Sequence, residues 1–373
     1  MYYIIFLTLL FFAIREIYTR KINKQIFNVL FLLLTLMACL RYGQGQDYFA
    51  YMFLYNHADN FYFNYKEVLA GSDPGYYILE YFIGHGGLNL DFGWFIAIVS
   101  IITMSCWYKF FARDCEYSVL SLFCFYCICF CIYVTSTIRQ GLAMGIYAAF
   151  SLPFLYKKRW IPYTLITLFA SSFHLSCIIL LFAPLFYGFE RNSTRLIIII
   201  FSLILMFFGS NLLSILPIAA LEDRADYYVN ISAANTFIWA RLVRIFFTVP
   251  VVILMYKVKD KRIKQYCNLY IMGLFVYAVS SFADGIATRL WGYTMPFIFI
   301  IYSKLFTDKL RLRRNIIYLY CCLLVTGLFF KNFDGFISQG GYKNTTIFTF
   351  PYFSVFNKQE ALQNINYYNK YSL

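Results

Sequence analysis

The chain consists mainly of long apolar runs separated by short polar segments. Most runs are near the roughly 20 residues that an α-helix needs to cross a bilayer. In chain order they cover residues 2–18, 25–40, 91–111, 117–134, 138–156, 160–188, 195–218, 236–256, 265–283, 286–304 and 315–331. The pattern predicts an all-α, polytopic transmembrane protein with about twelve membrane-embedded helices.

The run at 160–188 predicts a broken helical element. It is longer than one simple span and carries Ser171, Ser172 and His174 in its middle. Both of its flanks are basic, which favours an even number of crossings. We therefore expect two short helices that meet near residues 172–174, because irregular backbone at membrane depth is tolerated only beside a cavity or inside protein. A single tilted helix is the alternative.

The apolar runs also predict the division of the chain. One transmembrane domain is expected over residues 1–331, followed by a polar, loosely structured external tail over 332–373. Residues 41–75 are expected to form an external loop. The stretch at 75–84 is too short to span and ends in glycines, so it should lie in the interface or re-enter the bilayer.

Composition agrees with a membrane setting, because 61% of the residues are hydrophobic and only 13% are charged. Of the 32 Lys and Arg residues, 21 lie in short segments between apolar runs, at 15–24, 109–113, 157–159, 191–195, 257–264 and 304–314. By the positive-inside rule these segments are cytoplasmic, and Arg41 then follows the second helix on the outer side. The net charge of +14 does not indicate nucleic acid, because no aromatic-interleaved basic face accompanies it.

The cysteines do not indicate a metal or redox site. Cys124, Cys127 and Cys131 would share one face of a helix, but no nearby His or acidic residue completes a ligand shell. Free Cys behaves as a small buried apolar residue. We expect no metal and no cofactor.

The first candidate motif is Arg41-Tyr-Gly-Gln-Gly-Gln-Asp47-Tyr48-x-x-Tyr51, directly after the second apolar run. Its glycines permit a tight turn that brings backbone N–H groups and the Arg41 guanidinium toward an anion. Asp47 could orient that arginine or take a proton. An ordinary polar loop with an interface arginine is the alternative.

The second motif is Thr137-Ile-Arg139-Gln140, at the outer start of a predicted helix. A cation at a helix N-terminus opposes the macrodipole, so Arg139 indicates an anionic ligand there. Gln140 could hydrogen-bond sugar hydroxyls, and Gly141 suits close helix packing.

The third motif is Ser171-Ser172-Phe173-His174-Leu-Ser176, in the predicted break. A lone histidine within a membrane often only packs, but this one lies at a turn among hydroxyl groups. It could serve as a general base, or as a hydrogen-bond partner of a sugar or phosphate.

The fourth feature is a later set of charged residues near outer helix ends, Arg241, Arg244, Asp284 and Arg289. The first two share a helical face at i, i+3. Anchoring to lipid headgroups would explain them. An outward-facing site for a polyanion would also explain arginines placed against the usual charge bias.

These motifs together resemble those of the Wzy-like polysaccharide polymerases, specifically the EpsG-type branch of bacterial exopolysaccharide and O-antigen assembly. The resemblance spans most of the chain. It rests, in order, on Arg41-Tyr-Gly-x-Gly-x-Asp47-Tyr48-x-x-Tyr51, Asp73-Pro-Gly75-Tyr76, Arg139-Gln140-x-x-Ala143, Ser172-Phe173-His174-x-Ser176, and Arg289 with Tyr293.

The resemblance implies a metal-independent glycosyltransferase of the multi-spanning GT-C type. Such an enzyme transfers a growing glycan from undecaprenyl diphosphate to a sugar hydroxyl of another lipid-linked repeat unit. It works in the bacterial inner (cytoplasmic) membrane, with its site toward the periplasm or cell exterior. Its partners would be undecaprenyl-diphosphate-linked oligosaccharides and membrane lipid, and a chain-length regulator and a flippase are plausible further partners.

In that reading the candidate residues take separate roles. Arg139 and Arg41 would stabilise the departing lipid diphosphate. His174 or Asp47 would accept the proton of the attacking hydroxyl, although positioning and arginine stabilisation alone could suffice. Three tyrosines could stack on pyranose rings or belong to an interface belt, namely Tyr48, Tyr51 and Tyr76.

Two other functions handle the same lipid-linked substrate. A flippase commonly has two related halves, and the sequence shows no internal repeat. An O-antigen ligase typically carries a large external domain late in the chain, and the polar segment at 219–235 is too short for one. Both stay as alternatives.

Overall fold

The fold is that of a computed structural model, which describes residues 1–56, 73–213, 234–281, 284–305, 314–339, 342 and 345–364. These residues are largely helical and form no strand, although Arg41 and Ser354 make an isolated antiparallel bridge. The predicted all-α class is confirmed. The middle of the predicted loop 41–75, at 57–72, lies outside the described residues.

In chain order the α-helices are α1 Tyr2–Thr19, α2 Lys24–Leu40, α3 Tyr48–Asn56, α4 Pro74–Gly84, α5 Phe92–Asp114, α6 Ser118–Phe125, α7 Ile138–Ile146, α8 Leu152–Tyr156, α9 Trp160–Ser171, α10 Ala183–Tyr187, α11 Asn192–Leu213, α12 Ala234–Lys257, α13 Lys261–Val279, α14 Asp284–Gly292, α15 Met295–Leu305, α16 Arg314–Gln339 and α17 Lys358–Asn364. Two π-helical segments, Tyr126–Ser136 and Tyr147–Ser151, follow α6 and α7 respectively.

Several helices have the length and apolarity of membrane spans. Within the described residues four of them qualify, Tyr2–Thr19, Phe92–Asp114, Ser118–Ser136 and Ile316–Ser338, and shorter apolar helices accompany them. Large apolar side chains such as Ile4 and Ile161 are mostly exposed, as lipid-facing positions would be. The protein is therefore a helical, membrane-embedded chain, and the total of about twelve embedded helices stays a prediction.

The chain forms two compact units. Unit 1 comprises Met1–Ile178 and Ile316–Leu373, and unit 2 comprises Ile179–Asn315. The domain boundary predicted at residue 331 falls inside α16, which continues to Gln339. A helix can continue past the apolar run because its backbone hydrogen bonds do not depend on the polarity of its side chains.

The helical element after Trp160 is interrupted where the sequence predicts a break. α9 ends at Ser171, and a 3₁₀-helix begins at Leu175 and runs to Phe182. Between them, the backbone N–H groups of Ser172 and Phe173 bond back to the last turn of α9. The interruption leaves the residues after it free to bond elsewhere.

The π-helix Tyr126–Ser136 and the start of α7 approach each other very closely. A Cβ added at Gly141 would lie 1.8 Å from the carbonyl oxygen of Tyr133, so only glycine permits this contact. The predicted role of Gly141 in close packing is confirmed. The contact fixes the start of α7, where Arg139 lies.

Unit 2 contains a buried arginine in the basic segment at 191–195. The Arg195 Nε donates to Asn268 Oδ1 at 2.6 Å, and its Nη1 donates to Asn192 Oδ1 at 2.6 Å and to the Glu190 carbonyl at 2.9 Å. Five donors in a planar group suit this closed set of acceptors. Arg195 therefore joins the start of α11 to α13 in addition to any part it plays in orienting the chain.

The described part of the C-terminal tail packs on the turn that carries Arg41. The backbone N–H of Tyr42 donates to the Phe353 carbonyl at 3.1 Å, and Val355 N–H donates to the Leu40 carbonyl at 2.9 Å. Gln44 Nε2 donates to the Pro351 carbonyl at 3.2 Å. The expectation of a loosely structured tail is therefore wrong for residues 351–355, because their backbone groups are paired with the turn after α2.

Phe353 is the buried anchor of this tail segment, with a side chain that is 0% exposed, whereas Phe356 is 83% exposed. Replacing Phe353 by Ala should lower the free energy of unfolding of unit 1 by about 3–5 kcal/mol, because a large buried ring is lost. Thermal unfolding of the detergent-solubilised protein measures this. Phe356→Ala is the matched control and should leave the midpoint unchanged. Equal midpoints for the two variants would contradict the packing described here.

Candidate functional site

The site is built where the ends of two helices in unit 1 meet. α4 begins with Pro74, whose fixed φ and missing N–H suit a first helical position. The Gly75 N–H, one of the N-terminal groups without a partner inside the helix, donates to the Ser172 carbonyl at 2.8 Å. This bond brings Asp73, just before α4, to the turn after α9.

Gly75 is required by this approach. A Cβ at position 75 would lie 2.3 Å from Ser172 Oγ, 3.0 Å from Ser172 Cβ and 3.2 Å from its carbonyl carbon. Backbone and side chain of Ser172 would both have to move. The Asp73-Pro-Gly75 and Ser172-Phe173-His174 motifs, about 100 residues apart, therefore fit together directly.

Asp73 is the centre of the site. Its Oδ1 accepts the Leu175 backbone N–H at 2.9 Å. Its Oδ2 lies 3.4 Å from His174 Nδ1 and 3.4 Å from Arg139 Nη1. The side chains of Asp73, Arg139 and His174 are 5%, 13% and 20% exposed, respectively. We call these three residues the Asp73 cluster.

The partners of Asp73 favour its ionised form. Burial alone would raise the pKa of Asp73, but the hydrogen bond and charge of His174, the Leu175 N–H and the charge of Arg139 lower it below its ordinary value of 3.8. Asp73 is therefore a carboxylate at neutral pH. It can orient the imidazole through Nδ1, which leaves Nε2 as the ring nitrogen for a ligand.

Tyrosine rings surround the Arg139 guanidinium. Its central carbon lies 5.1 Å from the ring centroid of Tyr51, 4.5 Å from that of Tyr76 and 5.0 Å from that of Tyr77. Its Nη1 is also 3.4 Å from the Tyr77 hydroxyl. Cation–π contacts of this kind hold a guanidinium without satisfying its N–H donors.

Arg139 consequently retains donor capacity. Its Nε is buried and has no hydrogen-bond partner among the described residues. Guanidinium donors of this kind match the oxygen spacing of a phosphate. The cluster can therefore bind an anion at Arg139 and move a proton at His174.

The other predicted residues of unit 1 have different surroundings. Arg41 is 1% exposed, and its Nη1 donates to Ser100 Oγ at 2.9 Å and to the Ala38 carbonyl. Asp47 is half-buried at the start of α3, and its carbonyl accepts the Tyr51 N–H. Gln140 is buried one residue after Arg139.

The tyrosines predicted to stack on sugars are mostly covered. Tyr48 is buried and packs edge-to-face on Phe92. Tyr76 is fully buried, and Tyr51 is nearly so, with both rings close to Arg139. Two of the three therefore serve to hold the arginine in this structure.

The turn after α2 reaches the segment before Arg139. The Gln46 N–H donates to Ser136 Oγ at 3.2 Å, and a Cβ at Gly45 would lie 2.3 Å from the Thr135 carbonyl oxygen. The φ of Gly45 is +113°, which side-chain-bearing residues rarely adopt. The first motif thus supports the position of α7.

The remaining predicted residues belong to unit 2. Arg244 lies 4.2 Å from the Tyr277 ring centroid, and its Nη2 donates to Thr288 Oγ1 at 3.2 Å. Arg241 lies 5.7 Å from the Phe207 ring centroid. Arg289 is in the last turn of α14. Asp284 begins that helix, and its side chain lies outside the described part of the structure.

Sequence reasoning did not select Asp73 or Tyr77 as site residues. The signal for Asp73 was present in the Asp73-Pro-Gly75 motif, where an acidic residue precedes a helix start. No group of three or more His, Cys, Asp or Glu that could hold a metal occurs among the described residues.

The chain matches a protein-family model. A family model described as the EpsG family matches residues 24–354, which include all three members of the Asp73 cluster. No curated protein and no solved structure matched the chain.

Gly75→Ala tests the close contact between the two helix ends. The added methyl should push α4 away from Ser172, separate Asp73 from His174 and lower the thermal midpoint of the purified protein by several degrees. Gly327→Ala is the control, because a Cβ there meets nothing within 4 Å. The control midpoint should be unchanged or slightly raised, because Ala favours a helix interior over Gly. An unchanged midpoint for Gly75→Ala, with the control behaving in this way, would show that the contact is looser than described.

Proposed function

The chain belongs to the EpsG family, and from this we propose that it polymerises lipid-linked oligosaccharides into a bacterial surface polysaccharide. The reaction transfers the growing glycan from its undecaprenyl diphosphate to a sugar hydroxyl of a second lipid-linked repeat unit. One carboxylate that holds both a histidine and an arginine is the observation that carries the proposal.

The attack step is assigned to His174. Asp73 orients the imidazole by accepting at Nδ1, and Nε2 removes the proton of the acceptor hydroxyl as its oxygen bonds to the anomeric carbon of the donor sugar. The resulting imidazolium is stabilised by the adjacent carboxylate. Asp73 is thus a positioning residue for the base.

The departure step is assigned to Arg139. The bond from the anomeric carbon to the diphosphate oxygen breaks, and the electron pair leaves with the lipid diphosphate. The negative charge that develops on the diphosphate then lies beside the guanidinium. Electrostatic stabilisation is strong there because the site is mostly buried from solvent. No atom is lost, because the acceptor proton can pass from His174 to the diphosphate or to water.

The separations of 3.4 Å within the cluster leave room for adjustment. Optimised charge-assisted N–H···O bonds are about 2.7–2.9 Å long. Catalytic hydrogen bonds are often longer without substrate and tighten in its complex. Substrate binding at Arg139 and His174 is proposed to shorten both contacts.

The other candidate residues support this reaction in different ways. Arg41 is proposed to stabilise the turn after α2, since its known contacts are to that helix and to Ser100. Asp47 remains the alternative base. Gln140, and in unit 2 Arg241, Arg244, Asp284 and Arg289, are proposed to contact the sugars and phosphates of the substrate.

The proposed setting is the bacterial inner membrane. The protein would be a GT-C-like, metal-independent glycosyltransferase with about twelve embedded helices. Its site would face the periplasm or cell exterior, because the basic segments are expected to lie in the cytoplasm and so to orient the chain in the membrane. A chain-length regulator and a flippase are its proposed functional neighbours.

A flippase and an O-antigen ligase remain the alternatives, because both handle a lipid-linked oligosaccharide. A flippase has no need of a base beside a phosphate-binding arginine. A ligase would use similar chemistry but would act on a different acceptor. The length of the surface glycan separates all three functions.

Arg139→Ala and Arg139→Lys in the host strain test the departure step. Complementation of a gene deletion with wild type should restore a ladder of surface polysaccharide on a gel. Both variants should leave a single repeat unit, with polymer reduced at least about 100-fold, because one lost donor to the developing charge costs that much and Lys cannot replace the planar guanidinium. Arg159→Ala, at an exposed arginine, is the control at matched membrane levels.

Each pattern of bands on the gel points to one conclusion about function. A deletion strain without even the single unit would indicate a flippase. A normal ladder from Arg139→Ala would remove Arg139 from the reaction. Long chains that form but never reach the surface acceptor would indicate a ligase.

Asp73→Asn tests the positioning role of the carboxylate. Polymer synthesis should fall by about 100-fold or more, because the amide no longer stabilises the imidazolium. The pKa of Asp73 is lowered in the folded protein, so its ionised form stabilises the fold above the ordinary value of 3.8. This stability is lost as pH falls through the lowered pKa.

The thermal midpoint of wild type should therefore exceed that of Asp73→Asn at pH 6–8, about two or more units above the ordinary pKa. The difference should shrink as the pH approaches and passes below the lowered pKa. A difference that is independent of pH would mean that the variant damages packing and not the charge of the cluster.

A further inference from the structure

A cavity of about 400 Å³ lies at the turn between α1 and α2 in unit 1, away from the sequence motifs of the Asp73 cluster. Its volume falls in the range of about 300–1,000 Å³ that is usual for small-molecule sites. The lining includes Arg15, Glu16 and Lys21, together with apolar side chains of α1, α2 and α6.

Two cations of the lining are available to a ligand. Arg15 and Lys21 are exposed, and neither forms an ion pair with the described residues. Arg15 lies near the end of α1, and Lys21 lies in the turn that follows it. The Arg20 N–H donates to the Glu16 carbonyl at 2.9 Å, and Asn23 Oδ1 accepts two N–H groups at the start of α2, so the backbone of this turn is hydrogen-bonded at both ends.

Glu16, the acidic residue of the lining, is bonded to the start of α6, and Arg15 and Lys21 together still leave the lining with a net positive charge. Its Oε1 accepts the Val119 N–H at 3.3 Å and its Oε2 accepts the Leu120 N–H at 2.9 Å. Both oxygens are therefore engaged with the start of α6, where a helix N-terminus favours a negative group. The carboxylate belongs to the wall of the cavity.

The rest of the lining is mostly apolar. Thr19 and Asn23 are its other polar residues, whereas Phe12, Ile22, Ile26 and Val119 are apolar. The exposed face of α1 continues beside the cavity with apolar side chains such as Phe11, which is mostly exposed. A ligand here would meet cations at one end and lipid-facing helix surface at the other. A free phosphate ion would contact only the cations.

We propose that this cavity binds the headgroup of an anionic phospholipid of the surrounding membrane, with its phosphate at Arg15 and Lys21 and its acyl chains along α1. Basic pockets at helix ends bind such headgroups, and each Lys or Arg near the surface contributes about 1 kcal/mol. The site is independent of the proposed polymerase reaction, because it is defined by residues outside the catalytic motifs.

The experiment is a lipid titration of the purified full chain followed by native mass spectrometry. Phosphatidylglycerol and phosphatidylcholine are compared at equal concentrations in detergent. We expect phosphatidylglycerol to remain bound preferentially, and Arg15→Ala with Lys21→Ala to raise its dissociation constant roughly thirtyfold, as expected for two near-surface charges. Inorganic phosphate should not displace the lipid.

A matched pair of lysines separates a built site from general surface charge. Lys21 lines the cavity and Lys24 does not, although both are exposed on the same turn. Lys21→Ala should weaken binding roughly fivefold and Lys24→Ala less than about twofold. Ile22→Trp, which keeps every charge but fills the cavity, should also weaken binding. Thermal midpoints check that all variants are folded.

Three results would overturn the proposal. Equal losses for Lys21→Ala and Lys24→Ala would indicate diffuse charge attraction. Equal binding of the two lipids would remove the requirement for an anionic headgroup. Displacement of phosphatidylglycerol by millimolar phosphate would indicate a site for a soluble phosphate compound and not for a lipid.

Discussion

The burial of the Asp73 carboxylate is the constraint on which the arrangement around the site depends. A carboxylate with 5% of its side chain exposed loses most of its hydration, and an unpaired buried charge costs several kcal/mol, of order 3–5 when one partner of a buried pair is removed. Asp73 is compensated by a backbone N–H and an imidazole from the turn after α9, and by a guanidinium from α7. These segments therefore stabilise one another through their contacts with Asp73.

Irregular backbone makes this compensation possible. In an uninterrupted α-helix the Leu175 N–H would bond to the Ser171 carbonyl, whereas the break after Ser171 frees it for Asp73. The Ser172 carbonyl, left over at the end of α9, accepts the Gly75 N–H, left over at the start of α4. Two helix ends thus satisfy each other, and the charged cluster forms at their junction. Departures from helical regularity in a membrane chain need such internal partners.

The sequence was sufficient to predict the parts of the site that depend on local pattern. The helical class, the interruption at 172–174 and the close packing at Gly141 followed from apolar runs, polar residues within a run and the steric demands of glycine. The pairing of Asp73 with Arg139 and His174 did not, because these contacts join residues 66 and 101 positions apart. The tail is a similar case, since its bonds to the turn after α2 connect residues about 300 apart that carry no pairing signal.

The tyrosines also show why the type of a residue does not by itself reveal its role. An aromatic ring can stack on a sugar or on a guanidinium with the same face, and the choice depends on what lies opposite. Around Arg139 that face is occupied by the arginine itself. In the proposed reaction this has a consequence for charge. While the imidazole is neutral, the negative charge of Asp73 and the positive charge of Arg139 balance each other. When His174 takes the proton of the acceptor hydroxyl, the cluster gains one positive charge. That gain coincides with the charge that develops on the departing diphosphate, so the arrangement favours the transition state over the bound substrate.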